Sequence, residues 1–330
     1  MKQSIKIGTR ESQLAVWQAT LVQKLLKQNG VASALVYIKS EGDLDTVTPL
    51  YELGVQGIFT KSLDAALLDK RIDIAVHSLK DVPTKLADGI RQSAVLQRGS
   101  YRDTLVYKGD LQAVSSELGL VNGQWVTGNG QVKNSPLTTH SPFTIATSSI
   151  RRTAQWLHRY PNHSIENLRG NVNTRLRKLS EHSWNGAIFA AAGLERINLR
   201  PENSIDLDWM LPAPAQGAIT IVCRDNDTYL AGICDLLNDR STELCTKIER
   251  DFLRALMGGC STPVSALATI KNNRVIFKGN ICSPDGRRKI EVQRTGFPQD
   301  SETAGTAAAH ELLENEEAQQ IMYGIRNAKK

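Results

Sequence analysis

Aromatic side chains make up only 5% of this 330-residue chain. No apolar run comes near the ~18–20 residues that a membrane-spanning helix needs. The longest, such as Ala187–Leu194, stop far short, which excludes a membrane-spanning helix. The first residues, Met-Lys-Gln-Ser-Ile-Lys-Ile-Gly, hold no hydrophobic signal core. A cytoplasmic protein with no membrane partner is therefore expected. Cysteine is scarce and odd in number: Cys223, Cys234, Cys245, Cys260 and Cys282. None has CxxC spacing, so neither a secreted disulfide framework nor a thiolate metal site is expected, and these residues read as small buried hydrophobes. The six histidines form no HxxxH or HExxH pattern, so no metal is expected either. Charge of one sign is also lacking. Forty basic residues against thirty-four acidic ones leave +6, too mild for a basic nucleic-acid tail. What is present is 41% apolar and 22% charged residues, enough to build packed cores. At roughly 100–200 residues per domain, the length suggests two or three of them.

The pattern alternates strand and helix. Ser4–Gly8 reads as a strand and Ser12–Asn29 as a helix, with Leu14, Trp17, Leu21 and Leu25 on one stripe. Thr9 or Ser12 caps its start, and Asn29-Gly30 stops it. Strand Ala34–Lys39, helix Lys61–Lys70 (Leu63, Ala66 and Leu67 inward) and strand Ile72–His77 follow. Gly119–Pro142, rich in Gly, Asn, Ser and Thr, reads as a surface loop with a short irregular hairpin. Strand Phe143–Thr147, a helix through His158, helix Asn171–His182 and strand Ala187–Ala191 repeat the alternation. Strands separated by helices point to largely parallel sheets, and two such lobes in succession suit a hinged binding cleft. After strand Ala218–Arg224 and helix Ser241–Met257 the pattern changes. Three strands, Ser265–Ile270, Val275–Ile281 and Lys289–Thr295, and a terminal helix over 302–323 predict a small α+β domain.

Three clusters bear chemistry. Six arginines (151, 152, 159, 169, 175 and 177) fall between Arg151 and Arg177 with one acid, Glu166, and no lysine. Arg151-Arg152 follow a strand and open a helix, and Arg169-Gly170-Asn171 lead into the next. Helix N-termini and guanidinium groups both favour carboxylate or phosphate. A solvated helical face is the plain alternative, but the repeated strand-to-helix placement argues for a polyanion site, with Arg10 a third contact from the other lobe. His77-Ser78-Leu79-Lys80-Asp81-Val82-Pro83 sits at a strand's carboxyl end, where open α/β sheets bind ligands. Gly258-Gly259 turn the chain sharply and place Cys260 on a loop, where a thiol near positive charge is reactive.

These features, in this order, resemble the porphobilinogen deaminase (hydroxymethylbilane synthase) family. Seven stretches carry the likeness: Ile7–Ala15, Gly57–Lys61, Asp73–Pro83, Thr147–Arg152, Leu168–Val172, Leu211–Ala218 and Gly258–Val264. The resemblance implies two lobes like those of type II periplasmic binding proteins and a small α+β C-terminal domain with a three-stranded antiparallel sheet. Lobe 1 is expected at 1–98 and 218–236, lobe 2 at 99–217, and the C-terminal domain at 237–330. The implied enzyme, a transferase of tetrapyrrole (haem and porphyrin) biosynthesis, joins four porphobilinogen units into linear hydroxymethylbilane and releases ammonia at each step.

The same resemblance implies a dipyrromethane cofactor held by a thioether, here on Cys260, and a catalytic aspartate, here Asp81. Lys80, Asp81, Thr147, Ser148, Ser149, Arg151, Arg152, Arg169 and Gly170 match cofactor-binding positions. Arg10, Ser12, Phe59, Arg151 and Arg175 match substrate-binding ones. Each pyrrole unit brings an acetate and a propionate, so a guanidinium-lined cleft suits the growing chain. The family-like partner is a small molecule, not nucleic acid, and the expected state is a monomer. Departures are Gln56 where the family often has lysine, Glu41 before Gly42-Asp43, Ala215 where glycine is common, and a long 119–142 segment. Two other classes share parts of this pattern. A two-lobed anion-binding module needs neither Gly258-Gly259-Cys260 nor a third domain. A nucleic-acid binder lacks a stacking platform, because only Trp156 and Tyr160 are aromatic in the arginine stretch.

Overall fold

The computed structural model describes residues 4–39, 60–121, 124–125, 143–256 and 262–327. The first part runs β1 (Ile5–Thr9), α1 (Gln13–Gln28), β2 (Ser33–Tyr37), α2 (Lys61–Leu68), β3 (Ile74–Ser78) and β4 (Ile90–Val95). Next come β5 (Asp103–Tyr107), α3 (Leu111–Leu118), β6 (Leu120–Val121), β7 (Gln124–Trp125), β8 (Thr144–Ala146), α4 (Ile150–Arg159), β9 (Ser164–Glu166), α5 (Val172–Glu181), β10 (Gly186–Ala190), α6 (Ala191–Glu195) and β11 (Ser204–Asp206). The last part is β12 (Ile219–Arg224), α7 (Thr228–Asp235), α8 (Arg240–Ala255), β13 (Val264–Lys271), β14 (Arg274–Cys282), β15 (Lys289–Gly296), α9 (Ala304–Leu313) and α10 (Glu316–Asn327).

One sheet has the order β2-β1-β3-β12-β4 and a second β11-β5-β10-β8-β9, while β13-β14-β15 form a three-stranded antiparallel sheet. The α/β class with a small α+β unit is as expected. The two large sheets are mixed rather than purely parallel, however. β12 runs antiparallel to β3 and β4, and β5 antiparallel to β10. In each case the odd strand enters its sheet after a crossing from the other, so it need not obey the βαβ rule.

Local chemistry explains most boundaries. The Ser12 hydroxyl accepts from the Ala15 amide and caps α1, and Gly30 ends it at φ +72°. The buried face of α1 corrects the expected stripe: Ala15, Ala19, Val22 and Leu26 go inward, Leu21 and Leu25 are half-buried, and Trp17 is exposed. Small residues let the helix lie close on the sheet, which frees Trp17 to sit under the Arg196 guanidinium. Helix α2 buries the residues foreseen, Leu63, Ala66 and Leu67, and α8 buries Cys245, Ile248 and Phe252, with Leu256 just past its end. The terminal helix is two helices, because the Asn315 side chain accepts from the Glu317 and Ala318 amides and starts α10 afresh. Of the loop foreseen at 119–142, Gly119 and the small β6–β7 hairpin are described and the remainder lies outside the described residues. Cys223, Cys234, Cys245 and Cys282 are buried and unbridged. Among the described residues no helix is long and apolar enough to cross a membrane.

The two large sheets are joined near 98–103 and 211–218. The Gln216 amide donates to the Tyr101 carbonyl (2.8 Å), and Arg98 donates to the Gln216 carbonyl (2.8 Å). Gly217 has φ +86°, and a Cβ there would sit 2.5 Å from the Ser100 carbonyl oxygen, so only glycine fits. Ala215 is also left-handed, at φ +62°, which gives a physical reason for glycine being common at that place. Glu249 of α8, fully buried, binds this crossing: it pairs with Arg98 (2.6 Å) and accepts from the amides of Ala215 (2.6 Å) and Ala268 (2.8 Å).

Candidate active site

The carboxyl end of β3 runs straight into a single 3-10 turn, Leu79–Asp81. Leu79 and Val82 are buried on either side and pack with Val95, Ala215 and Ala218. Between these apolar anchors stand Lys80 and Asp81, both half-buried. In the other sheet, α4 starts at Ile150 with Arg151 and Arg152 buried in its first turn. Their charges meet Asp103, the first residue of β5. Arg151 donates to one carboxylate oxygen (2.7 Å), and Arg152 donates twice to the other (3.0 and 2.8 Å). Gln216 adds a fourth donor to Asp103 at 3.0 Å. Burial pushes the Asp103 carboxyl up, but Arg151 and Arg152 outweigh that and hold it at about 2.

The two halves are electrostatically one cluster. Burial lowers Lys80 to about 8; Asp81 and Asp103 pull it up, and Arg152 and Arg151 push it down. Arg175 is lowered to about 10 by burial, then by Arg152 and Arg169, with Asp81 opposing. Thus Lys80, Asp81, Arg151, Arg152, Arg169 and Arg175 are brought together. Gly170 serves this set through its backbone. Its φ is +111°, and its carbonyl accepts from the Arg175 Nε at 2.7 Å. Thr147 is buried and its hydroxyl accepts from the Ser149 amide, while the Ser148 hydroxyl donates to the Leu168 carbonyl. These hydroxyls shape the strand-to-helix corner. Arg10 lies by His77, which burial, and then Arg10, lowers to about 3. The Ser12 hydroxyl accepts the Ala15 amide at the start of α1 and keeps its own O–H to donate. Phe59, Cys260 and the departures at Gln56 and Glu41 lie outside the described residues.

Sequence reasoning missed Asp103. Its only local signal was an acid opening a strand, Asp-Thr-Leu-Val-Tyr, that is buried throughout. Cations held this close repel one another, so the arrangement favours an anionic ligand over solvent. Named cations (Lys80, Arg151, Arg152, Arg169, Arg175) outnumber the carboxylates among them (Asp81, Asp103), which suits a ligand with several carboxylates. Among the described residues no His, Cys, Asp and Glu cluster has the makings of a metal site.

Comparison with known proteins decides which anion chemistry this is. Residues 5–232 match the model of the porphobilinogen deaminase dipyromethane cofactor binding domain, and 243–314 match the porphobilinogen deaminase C-terminal domain. The chain belongs to the porphobilinogen deaminase family. It is 36% identical to the porphobilinogen deaminase of Chlorobium phaeobacteroides (strain BS1), over 99% of both chains. It is 39% identical to the chloroplastic enzyme of Oryza sativa subsp. japonica, over 93% of this chain and 83% of that one. Solved structures of similar shape include the methionine binding protein MetQ (TM-score 0.41, 14% identity, 71% of this chain and 89% of that one). Another is a Bordetella pertussis BvgS VFT2 domain (TM-score 0.39, 12% identity, 70% and 85%). The Lys80 ammonium can attract an anion only while protonated. It carries its charge below about pH 8 and loses it above, and a bound carboxylate moves that loss higher. The alkaline limb of kcat/KM is therefore expected to depend on Lys80. Lys80→Arg, which stays charged, should move the limb upward by more than a pH unit. An unmoved limb in the pH–rate profile would show that the Lys80 charge does not set it.

Proposed function

We propose that this chain is a hydroxymethylbilane-forming transferase that condenses four porphobilinogen molecules head to tail, with Asp81 as its catalytic carboxylate and Cys260 as the thioether anchor of the dipyrromethane. One observation carries the reading: a half-buried carboxylate, Asp81, stands in the electrostatic field of Arg152 and Arg175 from the other sheet's side. Arg151, Arg152, Arg169 and Arg175, with Lys80, bind and neutralise the acetates and propionates of cofactor and product chain. Arg10 and Ser12, and Phe59 by family position, belong to the substrate side. Asp81 stabilises the positive charge that develops on the substrate pyrrole as ammonia leaves, and it holds or moves the pyrrole N–H proton. When bound, the dipyrromethane supplies the nucleophilic end to which each unit adds. Tethering keeps every addition effectively intramolecular.

The reading divides the chain into lobe 1 at 1–98 and 218–236, lobe 2 at 99–217, and a cofactor-attachment domain at 237–330. The return of β12 between β3 and β4 supports the first of these. It carries a cytoplasmic monomer acting on a small molecule, with neither nucleic acid nor membrane as partner. Intact mass with peptide mapping tests it. The purified active protein should carry the added mass of two linked pyrrole units, on the peptide that contains Cys260. A bare Cys260 peptide from fully active protein would reject the assignment.

A further inference from the structure

Helix α8 grips the catalytic turn as well as the crossing between the sheets. Next to Glu249, the Arg250 guanidinium reaches across to the loop that follows β3. Its Nη1 donates to the carbonyls of Leu79 (3.2 Å) and Val82 (2.9 Å), and its Nη2 to that of Pro83 (2.6 Å). These three carbonyls flank Asp81 on both sides. The Leu79 amide donates to the Ala218 carbonyl (3.0 Å), and the Val82 amide returns to the Leu79 carbonyl (3.2 Å). The turn thus has a backbone tie to β12 on one side and a cationic tie to α8 on the other. A planar fork with several fixed donors holds three carbonyls in a set geometry, where an ammonium's rotating donors would not.

Cys260 lies five residues past Ala255, the last residue of α8, so the helix that holds the turn is also the one that leads to the thiol. We infer that Arg250 is a positioning residue. It fixes the backbone of Asp81 relative to the helix that precedes Cys260, so that the carboxylate stays aligned with a pyrrole chain tethered there. The inference rests on the reading of Asp81 as the catalytic carboxylate. It asks nothing of Arg250 toward substrate: the guanidinium acts on carbonyl oxygens, and its effect passes through the placement of Asp81. A displacement of order 1 Å of a catalytic group costs on the order of 100-fold in rate, whereas binding of substrate carboxylates to the arginines of the other sheet is left intact.

The test uses the cofactor-loaded full chain and four variants: Arg250→Met, Arg250→Lys, Asp81→Asn, and Asp81→Asn combined with Arg250→Met. Arg250→Met is expected to lower kcat by roughly 10–100-fold, with KM for porphobilinogen within about twofold and cofactor mass unchanged. Arg250→Lys, which keeps the charge but not the fork, should fall between. In the Asp81→Asn background the Arg250→Met change should cost less than about twofold, because the group it positions is already gone. Arg250→Met with kcat near wild type, or with the same fold-loss in both backgrounds, overturns the positioning role and leaves the assignment of Asp81 standing. Asp81→Asn with near-normal turnover overturns that assignment and this inference with it. Should the methionine variant not fold, Arg250→Lys carries the test. Faster hydrogen exchange at the Leu79 and Val82 amides together with lowered kcat supports the role, and both unchanged overturns it.

Discussion

Asp81→Ala is expected to leave a folded, cofactor-bearing protein whose turnover falls by about 100- to 10,000-fold. Asp81 is half-buried at the end of a turn whose shape comes from Leu79, Val82 and Arg250, so removing its carboxylate takes away little packing. What is lost is the negative charge that faces Lys80, Arg152 and Arg175 from the β3 side. Positive charge that develops on a pyrrole ring would then be opposed by the guanidinium groups around it. The fold-loss corresponds to about 3–5 kcal/mol of barrier at 1.36 kcal/mol per tenfold. Single-turnover rates, read beside the mass of the loaded protein, separate this from a failure to assemble the cofactor. Asp81→Ala with near-normal turnover would leave the site an anion binder with its catalyst elsewhere.

Much of this site was legible because its residues stand at the ends of regular elements. Lys80-Asp81 after a buried strand, and Arg151-Arg152 at a strand-to-helix junction, are positions where topology alone directs side chains toward a cleft. The same local view failed where a partner is distant in sequence. Asp103 lies 48 residues from Arg151, and nothing near it announces that two arginines will fold onto it. Arg250 is 171 residues from Leu79, and within α8 it reads as one more charge on an amphipathic helix. The stripe on α1 was misread for a related reason. Helical spacing says which residues share a face but not whether a tryptophan on it is needed by another part of the molecule, as Trp17 is by Arg196. Asn315 shows the smaller limit: one side chain bonding to two backbone amides divides a helix whose apolar pattern runs on unbroken.

Asp103 is also where the largest loss of stability is expected. Its side chain has no exposure, and both of its guanidinium partners are about 5% exposed. Removing one member of such a group leaves charge buried without compensation. Asp103→Ala should therefore destabilise the second sheet by about 3–5 kcal/mol, and Asp103→Asn by less because the amide oxygen still accepts. The pH dependence carries a sign that identifies the cause. The carboxyl is held at about 2 in the folded protein against 3.8 for an unperturbed aspartate. A depressed folded value means that the stabilisation is fully present above about pH 4. It is lost as pH falls toward 2, where both folded and unfolded forms become protonated. Urea unfolding of wild type and Asp103→Asn should therefore differ most near neutral pH and converge below about pH 3. Loss of the carboxylate also frees Arg151 and Arg152 to shift, so KM for porphobilinogen should rise even where the variant is folded. A gap in unfolding free energy that stays constant from pH 7 to pH 2 would show that shape, not charge, makes Asp103 matter to the arginine pair.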